Sequence, residues 1–375
     1  MAAWLLDARR TNGTHGDYAR ALNDADIDCT LLWSTEELGM LQTSRAANKA
    51  WALRGWALAE YGQMGAPHFS EAEFLWSLCA IWSRSFQMQC AEPECGGAAG
   101  TSGGVWRVLA PGADLLNHDP HNPAAELQVR ADGARPEMWQ QTAVAADGST
   151  ASSTDGDSAV AAALAQVAAS WSAAADSDDE ESRDALVLRA KRKLNPGDDV
   201  TLDYGPRANA ELLTTHGFAL PSNAAESCPI DLGIVDNDPL APIKRKLLEA
   251  GNISAPYDLS PSALTSDSSL LVALRIIAAN AHELKGQAYA PAFEGKPLSA
   301  RNERRWRQML RERVGIMLRN AEGESTAEED AALLESLGAP GRERSEMRRH
   351  AAILTRLGEK RNLKAVLGVL AGLAK

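Results

Sequence analysis

GDDVTLDYGPRANAELLTTHGF, residues 197–218, changes its apolar period halfway along. Val200, Leu202 and Tyr204 alternate with polar neighbours, which is the period of a strand with one face buried. After Gly205-Pro206 the run ANAELLTTH reads as a short helix, and Gly217 stands where a C-cap glycine belongs. Just upstream, Leu186 and Leu188 alternate in a second strand. Asn195-Pro196-Gly197 supplies a turn between the two, so a hairpin is predicted. Further upstream, a short strand at Val105–Leu109 leads into DLLNHDP, residues 114–120. Taken singly, an Asn-His pair in a loop is a polar cap, and a Tyr-Gly ending a strand is an aromatic packed before a turn.

Around this centre the chain is organised in blocks. Residues 31–64 read as helical, opened by the capping-box pair Ser34 and Glu37, each satisfying the other's free backbone amide. A second pair, Ser70 with Glu73, opens EAEFLWSLCAIWSRSF, where Phe74, Leu75, Leu78, Cys79, Trp82 and Phe86 recur at helical spacing. That face must be buried, and it carries Arg84 toward the interior; by periodicity alone Arg84 is a surface arginine laid past an aromatic face. Residues 87–104, with Pro93 and several glycines, read as loop. From about Gly133 to Asp184 the composition is mostly Ala, Ser, Asp and Gly and ends in DSDDEESRD, so this insertion is predicted to be disordered. Past residue 230 the pattern is helical. Thr326 with Glu329 gives a third capping box, and Leu363, Val366, Leu367 and Leu370 form one stripe of the last helix. The arginines between 301 and 313 read as a solvated helix face, with a patch for an acidic partner as the sharper alternative.

Composition narrows the function classes. With 375 residues the chain suits two domains, since single cores stop growing at roughly 250–300 residues. A formal net charge of −12 argues against broad nucleic-acid binding, which needs a basic footprint. No apolar run approaches the roughly 18 residues of a membrane span, and MAAWLLDARRTNG shows no targeting pattern. Cys29, Cys79, Cys90, Cys95 and Cys228 are odd in number and scattered, a usage read as free thiols in a reducing compartment. Cys90 and Cys95, with His118 and His121 downstream, lack a second closely spaced ligand pair, so no metal site is expected.

DLLNHDP and GDDVTLDYGPRANAELLTTHGF, in that order and separated by strand-rich sequence, resemble the SET domain, and more narrowly the class of the Rubisco large-subunit lysine methyltransferases. The matching residues are Arg84 and Phe86 in W-S-R-x-F, Asp114, Asn117-His118, Gly197-Asp198-Asp199-Val200, Tyr204-Gly205, Arg207, Asn209, Glu211-Leu212 and Gly217-Phe218. The likeness continues through Asn302-Glu303, Glu328-Glu329-Asp330 and Glu359-Lys360, which resemble that class's helical substrate-binding domain. The resemblance implies an α+β fold: a β-rich SET domain with a helical insert over residues 1–226, followed by an all-helical substrate-binding domain over 227–375.

It also implies a chemistry: methyl transfer from S-adenosylmethionine to a lysine of a protein substrate held by the C-terminal domain, in a monomer that binds neither nucleic acid nor membrane. Asn117 and His118 should face the adenine and amino-acid end of the cofactor. Arg84 should lie near its carboxylate, Asp114 in the pocket wall, Gly217 beside it and Phe218 against the adenine. Tyr204 should place its hydroxyl by the transferring methyl. Arg84, Asp114 and His216 should line the substrate channel. Two departures stand out. The class opens its catalytic domain with strands carrying a Gly-x-Gly turn, and this chain starts after that point. His216 takes the place of a tyrosine before the Gly-Phe pair, which opens a histidine acceptor as an alternative. A silent protein-binding module that keeps the fold is the reading from a different class. The compartment stays open among plastid, cytosol and nucleus.

Overall fold

The computed structural model describes residues 1–11, 14–24, 26–65, 67–90, 105–130, 139–141, 185–235, 237–265 and 268–373. Most of the stretch predicted to be disordered, 133–138 and 142–184, lies outside them. The chain forms two compact units. One is Met1–Trp33, Ala52–Arg207 and Thr214–Gly217; the other is Ser34–Trp51, Ala208–Leu213 and Phe218–Lys375. No helix of the described residues is long and apolar enough to cross a membrane.

The first unit begins with α1 (Ala2–Arg10) and α2 (Thr14–Ala21). The latter half of α4 (Arg45–Gln63) and then α5 (Glu71–Arg84) follow. The Ser70–Glu73 capping box predicted at the start of α5 is formed in both directions. Phe74 through Ile81 are buried without interruption, so the helix is enclosed on every side and not on one face alone. Leu5, Leu6, Leu22, Ile27, Leu31, Phe69 and the apolar residues of α5 make one core. Within it Cys29 and Cys79 are joined by a disulfide, their Cα atoms 5.9 Å apart. This corrects the reading of five free thiols: pairing depends on helix α5 meeting a segment 50 residues earlier, which a count of cysteines does not encode. Cys228 is a buried free thiol.

Strand pairing in this unit differs from the sequence expectation in three places. β1 (Ser85–Cys90) continues directly from α5 and pairs antiparallel with β2 (Val105–Leu109), so 87–90 is strand where loop was predicted. Read from the sequence, the breaker signal of Pro93 and the glycines extends too far back, over 87–90. Within the stretch predicted to be disordered, β5 (Trp139–Gln141) pairs with β1. The predicted hairpin is absent. β6 (Ala185–Ala190) pairs antiparallel with β4 (Ala125–Arg130), whereas β7 (Thr201–Leu202) pairs parallel with β3 (Asn117–His118). The turn between β6 and β7 does exist, with Asp198 N–H donating to Asn195 O at 3.1 Å and Gly197 at φ +93°. It leads the chain to a partner strand more distant in sequence.

The second unit is helical, with a two-stranded ladder of β8 (Cys228–Ile230) and β9 (Tyr257–Leu259) added to the expected pattern. The predicted helical run 31–64 is broken. A 3-10 turn and α3 (Thr35–Gly39), capped by the predicted Ser34–Glu37 box, precede α4, and Gln42 takes a positive φ of 54° between them. The remaining helices are α6 (Asn209–His216), whose first residues belong here, α7 (Ala241–Ala250), α8 (Ser269–Ile277) and α9 (Ala290–Phe293). Then come α10 (Ala300–Ala321), α11 (Ala327–Leu337) with its predicted Thr326–Glu329 box, and α12 (Arg344–Gly372). Leu363, Val366 and Leu370 of the predicted stripe are 0% exposed and share a core with Leu274, Trp306, Leu310 and Val314. The three motif fragments of this half are structural: Glu303 pairs with Arg275 at 2.9 Å, and Asp330 with Arg356 and Lys360, both at 2.6 Å. Glu359 accepts from the Arg45 backbone N–H at 2.7 Å.

Glu226 lies near Glu359 and accepts weakly from the Asn209 backbone N–H at 3.3 Å. Burial pushes its carboxyl up to about 7, the Asn209 hydrogen bond opposes this, and the Glu359 charge adds to it. A folded pKa above the unfolded value means the native state holds the extra proton, so stability is full below about 4.5 and is lost as pH rises to about 7. The loss is on the order of 3 kcal/mol. Urea unfolding midpoints are expected to fall between pH 5 and pH 8, and Glu226→Gln to flatten that slope. Equal slopes in the two proteins would show that Glu226 is not the titrating group.

Candidate functional site

The parallel pairing of β3 with β7 builds the site. Asn117 lies opposite Thr201 and His118 opposite Leu202, and Asp119 N–H extends the ladder to Leu202 O at 2.9 Å. The Asn-His dipeptide is thereby fixed beside the strand that delivers Tyr204. The His118 side chain is 3% exposed. Its Nδ1 receives the Tyr204 backbone N–H at 3.0 Å, with Leu202 O more distant at 3.4 Å. A backbone N–H can only donate, so Nδ1 accepts and Nε2 carries the proton of the neutral ring. Burial lowers the His118 pKa, and the Leu202 carbonyl and Asp203 only partly restore it, which keeps that tautomer neutral.

Two imidazoles pack against the Tyr204 ring. His118 stacks on it at 4.8 Å and 24°, and His216, from the end of α6, lies at 5.0 Å and 33°. Thr215 Oγ1 is 2.6 Å from His216 Nδ1. The Tyr204 hydroxyl donates to Leu116 O at 2.6 Å, which fixes its proton and leaves its lone pairs directed elsewhere. Burial raises the phenol pKa, with Arg84 pulling down and Asp114 up, so the hydroxyl is un-ionised near neutrality and is no general base.

The turn that carries Leu116 is held from two sides. Gly112, at φ +93°, starts a 3-10 turn over Ala113–Leu115, and its N–H donates to Asp114 Oδ1 at 3.0 Å. Arg84, the last residue of α5, donates from Nη1 to Asp114 O at 2.8 Å. Tyr18 of α2 donates its hydroxyl to Asp114 Oδ2. Burial raises the Asp114 pKa, and Tyr18 and Arg84 act against it. Arg84 Nε is buried with no hydrogen-bond partner among the described residues. Behind His216, Gly217 takes φ +80°, and a Cβ there would stand 2.4 Å from Asp28 O; both the dihedral and the close approach require glycine.

Arg84, Asp114, His118, Tyr204, His216 and Gly217 therefore fall in one unit and, through hydrogen bonds, ring contacts and charge, in one neighbourhood. Asn117 is there too, on β3, with an exposed side chain. Phe218 follows Gly217 in sequence but falls in the second compact unit. Two contributors escaped sequence reasoning. Tyr18 reaches Asp114 across 96 positions, and nothing in THGDYARA marks it. Arg207, quoted only as a motif position, donates from Nε to Tyr204 O at 3.0 Å.

This fold is that of the SET domain. The chain superimposes over 99% of its length on the SET domain of LSMT bound to lysine and AdoHcy, with a TM-score of 0.63 and 20% identity, covering 74% of that chain. Rubisco LSMT bound to AdoMet superimposes over the same 99%, with a TM-score of 0.61, 19% identity and 74% of that chain covered. Residues 235–363 match the Rubisco LSMT substrate-binding family. Among curated proteins, the actin-histidine N-methyltransferase of Gallus gallus is 29% identical over 188 residues, 47% of this chain and 30% of that protein. The same enzyme of Xenopus tropicalis is 27% identical over 157 residues, 39% of this chain and 27% of that protein. The matched stretch thus spans less than a third of the length of these relatives.

Proposed function

We propose that the chain transfers a methyl group from S-adenosylmethionine to a lysine side chain of a protein substrate. The observation that carries the proposal is Tyr204: a half-buried, un-ionised hydroxyl, held by Leu116 O, on a ring that packs against those of His118 and His216. The donor set suits the cofactor, because the buried guanidinium N–H of Arg84 that lacks a partner is what a carboxylate would take up. Arg84, Asp114, Asn117, His118, Tyr204 and Gly217 would hold it in this unit. When bound, S-adenosylmethionine supplies an electrophilic methyl on a sulfonium.

The protein's own task is alignment, since an in-line displacement needs attacking nitrogen, carbon and sulfur on one axis. The lone pairs of the Tyr204 oxygen, freed by donation of its proton to Leu116, can steady the methyl by weak C–H···O contacts. The acceptor nitrogen must arrive neutral. Desolvation against the Tyr204 and His216 rings disfavours an ammonium, so no strong base is needed.

Lysine is favoured by the whole-chain match to structures with lysine and monomethyllysine bound. Histidine is the second reading, favoured by the sequence matches to actin-histidine N-methyltransferases. The chain should be incubated with methyl-labelled S-adenosylmethionine and a protein extract, and the labelled proteins hydrolysed to amino acids. Methyl-lysine is the expected product. Methyl-histidine would replace lysine by the second reading, and no label in protein would leave a binding module that keeps the fold.

A further inference from the structure

The chain carries a net charge of −12, yet its second unit contains a concentrated basic face. Between Arg301 and Arg319 helix α10 holds seven arginines against two glutamates. The inner face, Trp306, Leu310, Val314 and Met317, is buried in the core. At 100° per residue, Arg301, Arg304, Arg305, Arg311 and Arg319 gather on the opposite side, with Glu312 the only carboxylate among them.

Arg311 donates to Leu370 O at 2.9 Å, and Arg305 donates to Ala278 O at 2.9 Å and pairs with Glu283 at 3.8 Å, so two of the five are partly engaged. Arg301, Arg304 and Arg319 are exposed, and none has an ion-pair partner among the described residues. The row from Arg301 to Arg319 runs about 27 Å along the helix, room for an extended peptide of about eight residues. Beside it opens a cleft of about 430 Å³ lined by Lys244, Ile277, Ala278, Arg305 and Met309. The Lys244 ammonium is tied to Asp238 and Ile277 O, both at 2.7 Å, so these two charges of the wall satisfy each other, and Leu240, Ile277 and Met309 supply its apolar part.

We infer that the outer face of α10 is a docking surface for an acidic segment of a protein, with carboxylates along the arginine row and an apolar side chain in the adjoining cleft. The inference rests on the reading of the chain as an enzyme with a protein substrate, and it adds the chemistry by which that substrate is recognised. Guanidinium groups suit this occupant because they pair with carboxylates through a planar fork. Phosphate backbones are attracted by arginines as well, but the −12 charge of the whole chain opposes a polyanion that extends beyond the face.

The test uses the full chain and a short fluorescein-labelled peptide of repeated Glu-Glu-Leu, read by anisotropy at low and physiological salt. A single-stranded oligonucleotide of equal length serves as the second probe. The double variant Arg301→Glu/Arg304→Glu is compared with the parent. Arg301 lies in the first turn of α10, where a glutamate complements the helix N-terminus, so the exchange keeps the helix; circular dichroism checks this. The expected result is peptide binding that weakens with salt and falls at least about tenfold in the variant, with a weaker response to the oligonucleotide. No peptide binding by the parent, equal binding in the variant, or tighter oligonucleotide binding would overturn the inference. The readout needs neither cofactor nor turnover, so its failure is separate from failure of the catalytic reading.

Discussion

Tyr204→Phe is expected to lower the rate of methyl transfer by roughly two to three orders of magnitude, the cost of removing one aligned polar group from a reacting centre, while S-adenosylmethionine affinity changes little. The reasoning follows from how the hydroxyl is held. Its proton is committed to Leu116 O at 2.6 Å, and its ring packs against those of His118 and His216. Phenylalanine keeps the ring stack and removes only the oxygen. The ground-state cost is one hydrogen bond to a half-buried carbonyl, about 1 kcal/mol. The loss therefore falls on kcat, and single-turnover kinetics with cofactor titration separates the two quantities. Turnover unchanged in the variant would remove Tyr204 from the reacting centre. A parallel loss of cofactor binding would assign it to binding instead.

The second large effect is expected far from that chemistry. Asp330 is 1% exposed and faces Arg356 and Lys360, both at 2.6 Å, with Ser325 Oγ at 2.8 Å. Burial pushes its carboxyl up, but the hydrogen bonds from Arg356, Lys360 and Ser325 more than reverse this, and the pKa ends low. Asp330→Ala leaves two cations buried, Lys360 at 1% and Arg356 at 6% exposure, without their counter-charge. Breaking a buried pair from one side costs about 3–5 kcal/mol, which should lower Tm by roughly 10 °C in a unit of this size. Differential scanning calorimetry reads it directly. A shift of only a degree or two would mean that the cluster relaxes into water and does not hold α11 to α12. Arg356 also donates to Met40 O at 2.6 Å, and Lys360 to Ser325 O at 2.7 Å. The segment that interrupts the N-terminal helical run is therefore expected to loosen along with the C-terminal helices.

Local patterns in the sequence carried most of the architecture. All three capping boxes form, because a box is complete within four residues. The last-helix stripe is buried for the same reason: periodicity within one element is sufficient to place it. The partners of strands were not legible. The paired residues of β3 and β7 are 84 positions apart, and β4 meets β6 only across a long Ala/Ser/Asp-rich insertion, so the nearest-neighbour hairpin was the natural error. The Cys29–Cys79 disulfide and the Tyr18–Asp114 bond escaped for the same reason, since each joins segments that only the packing of α5 and α2 brings near.

The candidate site divides along the same line. His118, Tyr204 and Gly217 could be singled out because they sit in two short motifs. The tautomer of His118 and the commitment of the Tyr204 proton to Leu116 could not, because both depend on the parallel ladder. The fragments Glu328-Glu329-Asp330 and Glu359-Lys360 were recognisable as motif, yet their roles as a buried ion cluster and a backbone anchor appeared only in three dimensions.

A working cofactor pocket around Arg84, His118 and Tyr204 is tested most directly by calorimetric titration of the 375-residue chain with S-adenosylmethionine, beside Asn117→Ala. Asn117 has an exposed side chain on β3, so its removal does not threaten the fold. Micromolar binding by the parent chain that is lost in the variant is the predicted result. No heat of binding from either protein, or equal affinity in both, would mean that these residues do not form that pocket.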